Sequence, residues 1–430
     1  VRSPETGRAG IVTNVRWKVA ALLTVVITSA FVTRLSISVA AQRIQTEFGF
    51  TNIQIGSILS AFIVGYGACQ IPVGMLADRI GPRVLLSVAV LFWSGFTLLT
   101  PVAPRWGPPA AALSLFLLIR LLMGMAQSAA LPCGNKTVSR WMPLEERAAG
   151  NSVFMIGIGL GGLISPPLVV HLMLRFGWPA PFYVLGAAGL LISGAWFLYA
   201  RDDPRQHRSV SAAELRLIGD GRREGTARAG KTPWSRIARS RSIWFLALSY
   251  GVAGFPSYVF YTWFFLYLAN VRKVDLVSGG YWSVLPYAAM AVLTPAGGRL
   301  SDRLTIRRGK RWGRLTVVWI GSSLATVLIL AGARIGNAEA AIICLALAAG
   351  FHVFSQPPSW AATIDLAPEH SATVFGLMNT FAQAFGAAAP VVTPWIAGRF
   401  GWIRALDATA AMALLAGVLW FFVHPERSLE

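Results

Sequence analysis

The sequence predicts an all-α polytopic membrane protein with twelve transmembrane helices arranged as two parallel six-helix repeats. Three observations lead to this class. Of 430 residues, 55% are hydrophobic and only 13% charged, against about 25% charged in an ordinary soluble domain. The apolar residues gather into recurring runs of about 20, the length that crosses a bilayer. Several short sequence markers also recur at nearly one spacing in the two halves. The first two observations exclude a soluble enzyme, a secreted disulfide scaffold and a disordered chain.

Taken in order, the first 18 residues are polar and basic. They lead into an apolar run without a small-residue cleavage site, so no cleaved signal peptide is expected. Spans are predicted near 19–41, 53–77, 84–104, 112–135, 147–171 and 178–200, and then near 243–270, 277–298, 315–333, 340–364, 372–396 and 403–423. Segments on the side of the N-terminus hold 28 of the 38 Lys and Arg, and the opposite loops hold 8. By the positive-inside rule both termini are expected in the cytoplasm. The net charge of +20 is then mostly a topology signal, and no nucleic-acid partner is expected. Arginine outnumbers lysine 33 to 5, which suggests a GC-rich bacterial genome and an inner-membrane location.

The longest polar stretch, 200–243, mixes 11 basic with 5 acidic residues. It divides the chain into a bundle at 1–200, a connector at 201–242 and a second bundle at 243–430. Within it Ser211 and Glu214 have capping-box spacing, so a short amphipathic helix is expected around Ser211–Ile218. The remainder is expected to lie on the anionic lipid surface.

Arg175-Phe176-Gly177-Trp178 recurs 224 positions later as Arg399-Phe400-Gly401-Trp402, and Asp78-Arg79 recurs at the same offset as Asp302-Arg303. Pro143 to Arg147 is echoed by Pro368-Glu369-His370. Six helices per repeat is an even number, so the halves run the same way and are related by an axis along the membrane normal. Rocking of such halves exposes a central cavity to each side in turn.

Several motifs need weighing. Gly225 to Thr232 fits the phosphate-loop pattern GxxxxGKT, but a charged run precedes it and Pro233 follows, where a strand and a helix are required. It is read as coincidence, and no nucleotide is expected. Asn135-Lys136-Thr137 is a glycosylation sequon at a cytoplasmic helix end and is discarded. Cys69, Cys133 and Cys344 lie in apolar runs without metal-ligand spacing, and no cofactor or metal is expected. Gly157, Gly159, Gly161 and Gly162 with Pro166 and Pro167 suit close packing and bending.

The 8 and 28 basic residues above leave two, Arg34 and Arg120, and both fall inside spans. No acidic residue lies at comparable depth; Asp407, a turn into the last span, is the deepest. A guanidinium in hydrocarbon costs several kcal/mol unless it faces a wet cavity or a partner. One reading has both arginines snorkel or bond to backbone carbonyls. The sharper one has both face the central cavity with the substrate as counter-ion, a small organic carboxylate held bidentately. Tyr66, Gln127, Ser355, Gln356, Asn379 and Gln383 are further in-span polar groups, suited to substrate hydroxyls or to helix–helix hydrogen bonds. His352 is the one deep group that titrates near neutrality. It is a coupling candidate or a packed core histidine.

Gly74, Asp78, Arg79, Gly81 and Arg83 match the loop signature of the major facilitator superfamily, with Gly297, Gly298, Asp302 and Arg303 as its second copy. In this reading Gly74 lets helices approach closely, and Asp78 pairs with a basic group of a neighbouring helix as a cytoplasmic latch. The chain resembles that superfamily's anion:cation symporter family. The resemblance is carried by Arg140 to Gly150, Pro166-Pro167, Asp203-Pro204, Tyr261-Thr262-Trp263, Trp360 and Gly376 to Asn379. It implies the major facilitator fold and a carrier of galactonate, hexuronate, glucarate or phthalate type. It also implies substrate-binding roles for Arg34 and Arg120, and contacts from Tyr66, Gln127, Ser355 and Asn379. Two departures stand out. Thr33 replaces an Asp and Gln127 a Glu, the carboxylates thought to carry coupled protons in the family. Proton coupling is therefore expected to be altered or absent, with exchange, uniport or His352 in its place.

The expected protein is a monomeric carrier of a small organic anion, in contact with membrane lipid, and no enzyme. A drug or cation exporter would want deep acids, which the census does not find. A receptor with a carrier fold would carry an appended domain, and the tails are only about 18 and 7 residues.

Overall fold

The computed structural model describes residues 12–102, 109–143, 146–220, 234–367 and 371–427. Among them the regular structure is helical: α1 (Val15–Phe48), α2 (Asn52–Ile80), α3 (Pro82–Leu99), α4 (Pro109–Gln127), α5 (Ala130–Trp141), α6 (Arg147–Phe176), α7 (Ala180–Tyr199), α8 (Ala212–Asp220), α9 (Trp234–Arg239), α10 (Arg241–Asn270), α11 (Leu276–Trp282), α12 (Leu285–Arg334), α13 (Ala338–Phe354), α14 (Pro357–Leu366), α15 (Ser371–Phe400) and α16 (Trp402–Leu419). Ten described helical segments are long and apolar enough to cross a membrane. One of them, Val277–Arg334, contains two of the predicted crossings. The helix α15, with Asn379, Gln383, Pro390 and Pro394 in its length, completes the twelve.

Three expectations about elements need correction. The loop expected at 299–314 is helical, and α12 runs through it with a single kink at Gly309, φ 78°. Hydropathy marks where a chain leaves the membrane, whereas helix propensity carries the turns onward into water. The spans expected at 112–135 and 340–364 are each broken. The first parts between Gln127 and Ala130, the second at Ser355 and Gln356. Pro357 and Pro358 explain the second break, because neither has an N–H to bond back to the preceding turn, although Gln356 itself keeps helical angles, φ −83° and ψ −40°. The capping box of α8 forms by half: Glu214 N donates to Ser211 Oγ at 3.2 Å, while the Glu214 carboxylate turns away to the start of α1.

There it is fully buried and accepts from Thr13 Oγ1 at 2.6 Å, Val15 N at 3.2 Å and Arg16 N at 3.1 Å. Arg16 pairs with Glu214 at 3.0 Å and with Glu146 at 2.7 Å. A carboxylate at a helix N-terminus satisfies amides that have no partner within the helix and meets the positive end of the dipole. One arginine thus ties together the first helix, the turn before α6 and the connector helix.

The helices before the connector pack chiefly on one another, α1 with α6, α2 with α4 and α3 with α7. Those after it repeat the scheme, α10 with α15 and α12 with α13 and α16. The repeated tetrapeptides end α6 and α15 in the same way. Gly177 has φ 84° and ψ 166°, and Gly401 φ 85° and ψ 161°, a left-handed φ that favours glycine.

Between the two groups, α2 meets α15, α1 meets α10, and α6 meets α11 and α12. Gln42 Nε2 donates to Asn270 Oδ1 at 3.2 Å, and Ser60 Oγ donates to Ala387 O at 2.5 Å. Asn379 Nδ2 donates to Gln70 Oε1 at 3.0 Å. One turn beyond that bond, toward the face carrying the termini, Gly74 and Gly376 both look onto open space. Among the described residues the two groups thus meet closely toward the far face and leave open space at Gly74 and Gly376, nearer the terminal face.

Candidate functional site

Arg34 lies within α1 and Arg120 within α4, and the packing of α2 against both brings them to one cavity. Its lining includes Arg34, Leu59, Phe62, Arg120, Tyr258 and Tyr261. Arg120 is 3% exposed. Its guanidinium carbon stands 4.7 Å from the centroid of the Phe62 ring, and that of Arg34 stands 4.9 Å from the same centroid. Arg34 also lies over the rings of Tyr66 and Tyr258, at 5.4 Å each. The Phe62 and Tyr66 rings stack at 6.2 Å, one helical turn apart on α2.

The hydrogen bonds of the two arginines are few. Arg34 Nη2 donates to the Tyr258 hydroxyl at 2.6 Å. That hydroxyl donates onward to Gln383 Oε1, also at 2.6 Å. Arg120 Nη1 reaches only the thioether of Met123, at 3.4 Å, and its buried Nε has no partner. Among the described residues neither arginine has a carboxylate within ion-pair distance. Two cations thus share an apolar, aromatic pocket without an anion, an arrangement whose charge is unbalanced by any side chain around it.

Tyr258 was not anticipated. It stands 224 residues from Arg34, the offset of the internal repeat, so the two are equivalent positions on equivalent helices. Applying the repeat spacing to Arg34 would have found it. Phe62 and Tyr287 carried no sequence signal beyond being aromatic. Tyr287 stacks on Tyr261 at 6.2 Å and lies over Gly162 of α6. Gly157 packs against α1 at Thr24 and Ile27, and Gly161 at Phe31, so these glycines do serve close packing, whereas Gly159 meets nothing.

The other candidates lie elsewhere. Gln127 is 3% exposed and its amide donates to Ala30 O at 3.2 Å and to Thr33 Oγ1 at 3.0 Å. It joins α4 to α1 instead of facing the cavity. The two positions read as replaced carboxylates are therefore in direct hydrogen-bond contact. Ser355 returns its hydroxyl proton to His352 O at 2.6 Å, capping α13 at its break, and Asn379 is held by Gln70 across the interface. A lone polar group in an apolar helix finds its partner on a neighbouring helix or its own backbone when no cavity water serves it. Buried His352 brings Nε2 to 2.9 Å from both Ala253 O and Ser257 Oγ. A carbonyl only accepts, so Nε2 carries a hydrogen, and the ring is a packed link between α13 and α10.

In the signature loop the Asp78 side chain lies outside the described residues, and a Cβ on Gly74 would meet nothing within 4 Å. Gly81 takes φ 93°, and a Cβ there would approach the Asp202 carboxyl carbon to 2.7 Å. Arg83 N donates to Asp202 Oδ1 at 3.0 Å, and Arg83 Nε to Phe197 O at 3.0 Å. Arg140 pairs with Asp202 at 3.4 Å. These bonds fasten α3 and α5 to the end of α7, within one group of helices. Arg79, Asp302 and Arg303 are exposed. The phosphate-loop match at Gly225–Thr232 and the echo at Pro368–His370 fall outside the described residues.

Comparison with known proteins agrees with this architecture. The Major Facilitator Superfamily profile matches residues 22–390. A probable sulfoacetate transporter of Cupriavidus necator is 32% identical over 375 residues, covering 86% of this chain and 85% of its own. A probable chloroplastic anion transporter of rice is 30% identical over 407 residues, 92% of this chain, which spans 66% of that longer protein. Among solved structures, a bacterial homologue of the human lysosomal transporter Spinster, inward-facing and unoccupied, superimposes with a TM-score of 0.80 at 19% identity, over 96% of this chain and 97% of its own. The chain is a multi-pass membrane transporter of the major facilitator superfamily.

Proposed function

We propose that the protein carries a small organic anion across the bacterial inner membrane by alternating access, with the anion held between Arg34 and Arg120. The observation that carries this reading is the pair of guanidiniums around one aromatic ring with no carboxylate to balance them. In low dielectric, two such cations repel strongly and each is costly to desolvate. An anion between them relieves both penalties at once. Arg120 Nε and the remaining N–H groups of Arg34 and Arg120 are the donors it would find. Tyr258 accepts from Arg34 Nη2 through its hydroxyl oxygen, and Tyr66 and Tyr261 supply apolar faces and hydroxyls.

The charge balance favours a dianion. Thr33 and Gln127 are neutral and bonded to each other, so the pocket's formal charge of two arginines is not reduced. The relative described above is a probable sulfoacetate transporter, and sulfoacetate is a short dianion, which supports the same class for this chain. Sugar acids and other carboxylates belong to the wider class. Neither Thr33 nor Gln127 can carry a proton, so exchange or uniport is the coupling this reading favours, and His352 holds its Nε2 hydrogen on a backbone carbonyl. The bundles at 1–200 and 243–430 rock about the cavity, the connector at 201–242 spans them on the cytoplasmic side with both termini, and the monomer is the working unit. A lipophilic-cation exporter is disfavoured by a pocket that is itself cationic.

The test is a thermal-shift screen of purified protein in detergent against sulfoacetate, aldonates, uronates, aldarates and aromatic acids. A ligand that binds only the folded state raises the melting temperature with its concentration. The expected result is a shift for a short dianion that is lost in Arg34→Ala and in Arg120→Ala. Shifts that survive both substitutions, or a screen without any, would remove the arginines from substrate binding.

A further inference from the structure

We infer that Phe62 is a positioning residue of the anion site, holding the two arginine forks by the face of its ring so that their N–H edges stay free for the substrate. The inference rests on the anion reading above but adds a residue that no motif or charge census picks out. Phe62 is 1% exposed, and the two guanidinium carbons lie 4.9 and 4.7 Å from its centroid. They are therefore no farther from each other than those two distances combined, a separation that a compact anion can bridge.

The geometry explains how two like charges stay this close. The negative face of an aromatic quadrupole attracts a cation, more strongly when water is excluded. A guanidinium offers its flat face to a ring and its edge to a carboxylate or sulfonate, so one does not displace the other. Arg120 fits this division: the ring lies by its guanidinium carbon while its Nε has no partner. The backbone places the ring as well. A Cβ on Gly124 would come within 2.9 Å of the Phe62 carbonyl carbon, so α2 and α4 approach in a way that only a residue without a side chain allows at that crossing. Phe62 is thereby set beside Arg120 by main-chain contact, and stacking on Tyr66 fixes its plane.

The test replaces Phe62 in the full chain by mono-, tri- and pentafluorophenylalanine, which keep the ring shape while weakening and then reversing the quadrupole. Phe62→Leu is the aliphatic comparison. The probe is sulfoacetate, titrated by calorimetry and thermal shift in detergent. The expected result is a Kd that rises stepwise with fluorination, roughly fivefold across the series, with Phe62→Leu near its weak end. A flat Kd across the fluorinated series, in protein that binds sulfoacetate, overturns the inference, because packing alone is indifferent to the quadrupole.

Should the wild-type protein bind no sulfoacetate, the substrate reading fails on its own and the unliganded protein decides about Phe62. Its melting temperature falls with fluorination, and that fall shrinks in the Arg120→Met background and disappears when Arg34→Met is added, if the ring holds both guanidiniums. Equal melting temperatures along the series, or a fall unchanged in the doubly substituted background, reject the role.

Discussion

Substitution of Gly56 by alanine should force the far face of the protein open. Gly56 of α2 lies against the backbone of α15, where an added Cβ would stand 2.7 Å from the Pro390 carbonyl carbon and 3.2 Å from Val391 Cα. Carbon atoms in contact prefer about 3.5–4.0 Å, so the helices must part by about 1 Å. One turn along, Ser60 donates to Ala387 O at 2.5 Å, and parting stretches that bond too. Overpacking costs about 1–3 kcal/mol and a hydrogen bond about 1 kcal/mol. The closed far face is thus disfavoured by about 2–4 kcal/mol, roughly a 30- to 1000-fold shift in population. The two surfaces belong to different groups of helices, so moving the groups apart removes the clash without unfolding either.

The assay uses a variant without Cys69, Cys133 and Cys344 that carries Ser38→Cys in the cavity lining, reconstituted in one orientation. An impermeant maleimide applied from the face opposite the termini labels the parent slowly. Gly56→Ala should raise that labelling at least tenfold. Unchanged labelling together with a lowered melting temperature would refute the reasoning, since Gly56 would then be a packing contact in a wall that does not open.

Other outcomes follow from single groups. Glu214→Gln removes a buried carboxylate that caps α1 and pairs with Arg16, so a loss of about 3 kcal/mol is expected. It would be read as a lower melting temperature and faster proteolysis of the connector. Gln127→Glu places an ionisable carboxyl against Thr33 and Ala30 O, and anion uptake by proteoliposomes should become dependent on pH where the parent is flat. His207 packs against Trp141 and Tyr199, and burial, then Arg201, holds its pKa below the usual imidazole value. The unfolded chain therefore binds this proton more readily, so stability is full above about pH 6.5 and falls as the pH drops below it. His207→Gln should flatten that part of the melting-temperature profile between pH 7 and 5.

How much of this was legible in the sequence depended on cost. Arg34 and Arg120 stood out because a charge in a span is expensive, so position alone marked them. Tyr66, expected as a substrate contact, has its ring under the Arg34 guanidinium. Gln127, Ser355 and Asn379 were as visible in the sequence, yet a neutral polar group in a helix can be satisfied by a neighbouring helix. Linear sequence does not say which way it points. The breaks near Ser128 and at Ser355 escaped a hydropathy reading because the residues around them remain apolar, although Pro357-Pro358 announced the second. Tyr258 was hidden for the opposite reason: tyrosine is ordinary in a span, and only the repeat spacing singles it out.

The repeat also explains why Arg34 and Tyr258 meet at all. An axis along the membrane normal carries each residue of α1 to its equivalent on α10, so a position facing the axis on one helix faces its own counterpart on the other. Divergence of the two copies then decides the chemistry of the contact. Two arginines there would repel, and two tyrosines would hold no anion. One of each gives a cation on one half and a neutral acceptor on the other, joined by a 2.6 Å bond that costs little to exchange for a stronger, charge-assisted one. In the proposed function, an anion at Arg34 would compete with Tyr258 for the Nη2 hydrogen that now joins the halves. Binding and the contact between halves would then be linked through one guanidinium, a linkage that would need no titrating carboxylate at position 33 or 127.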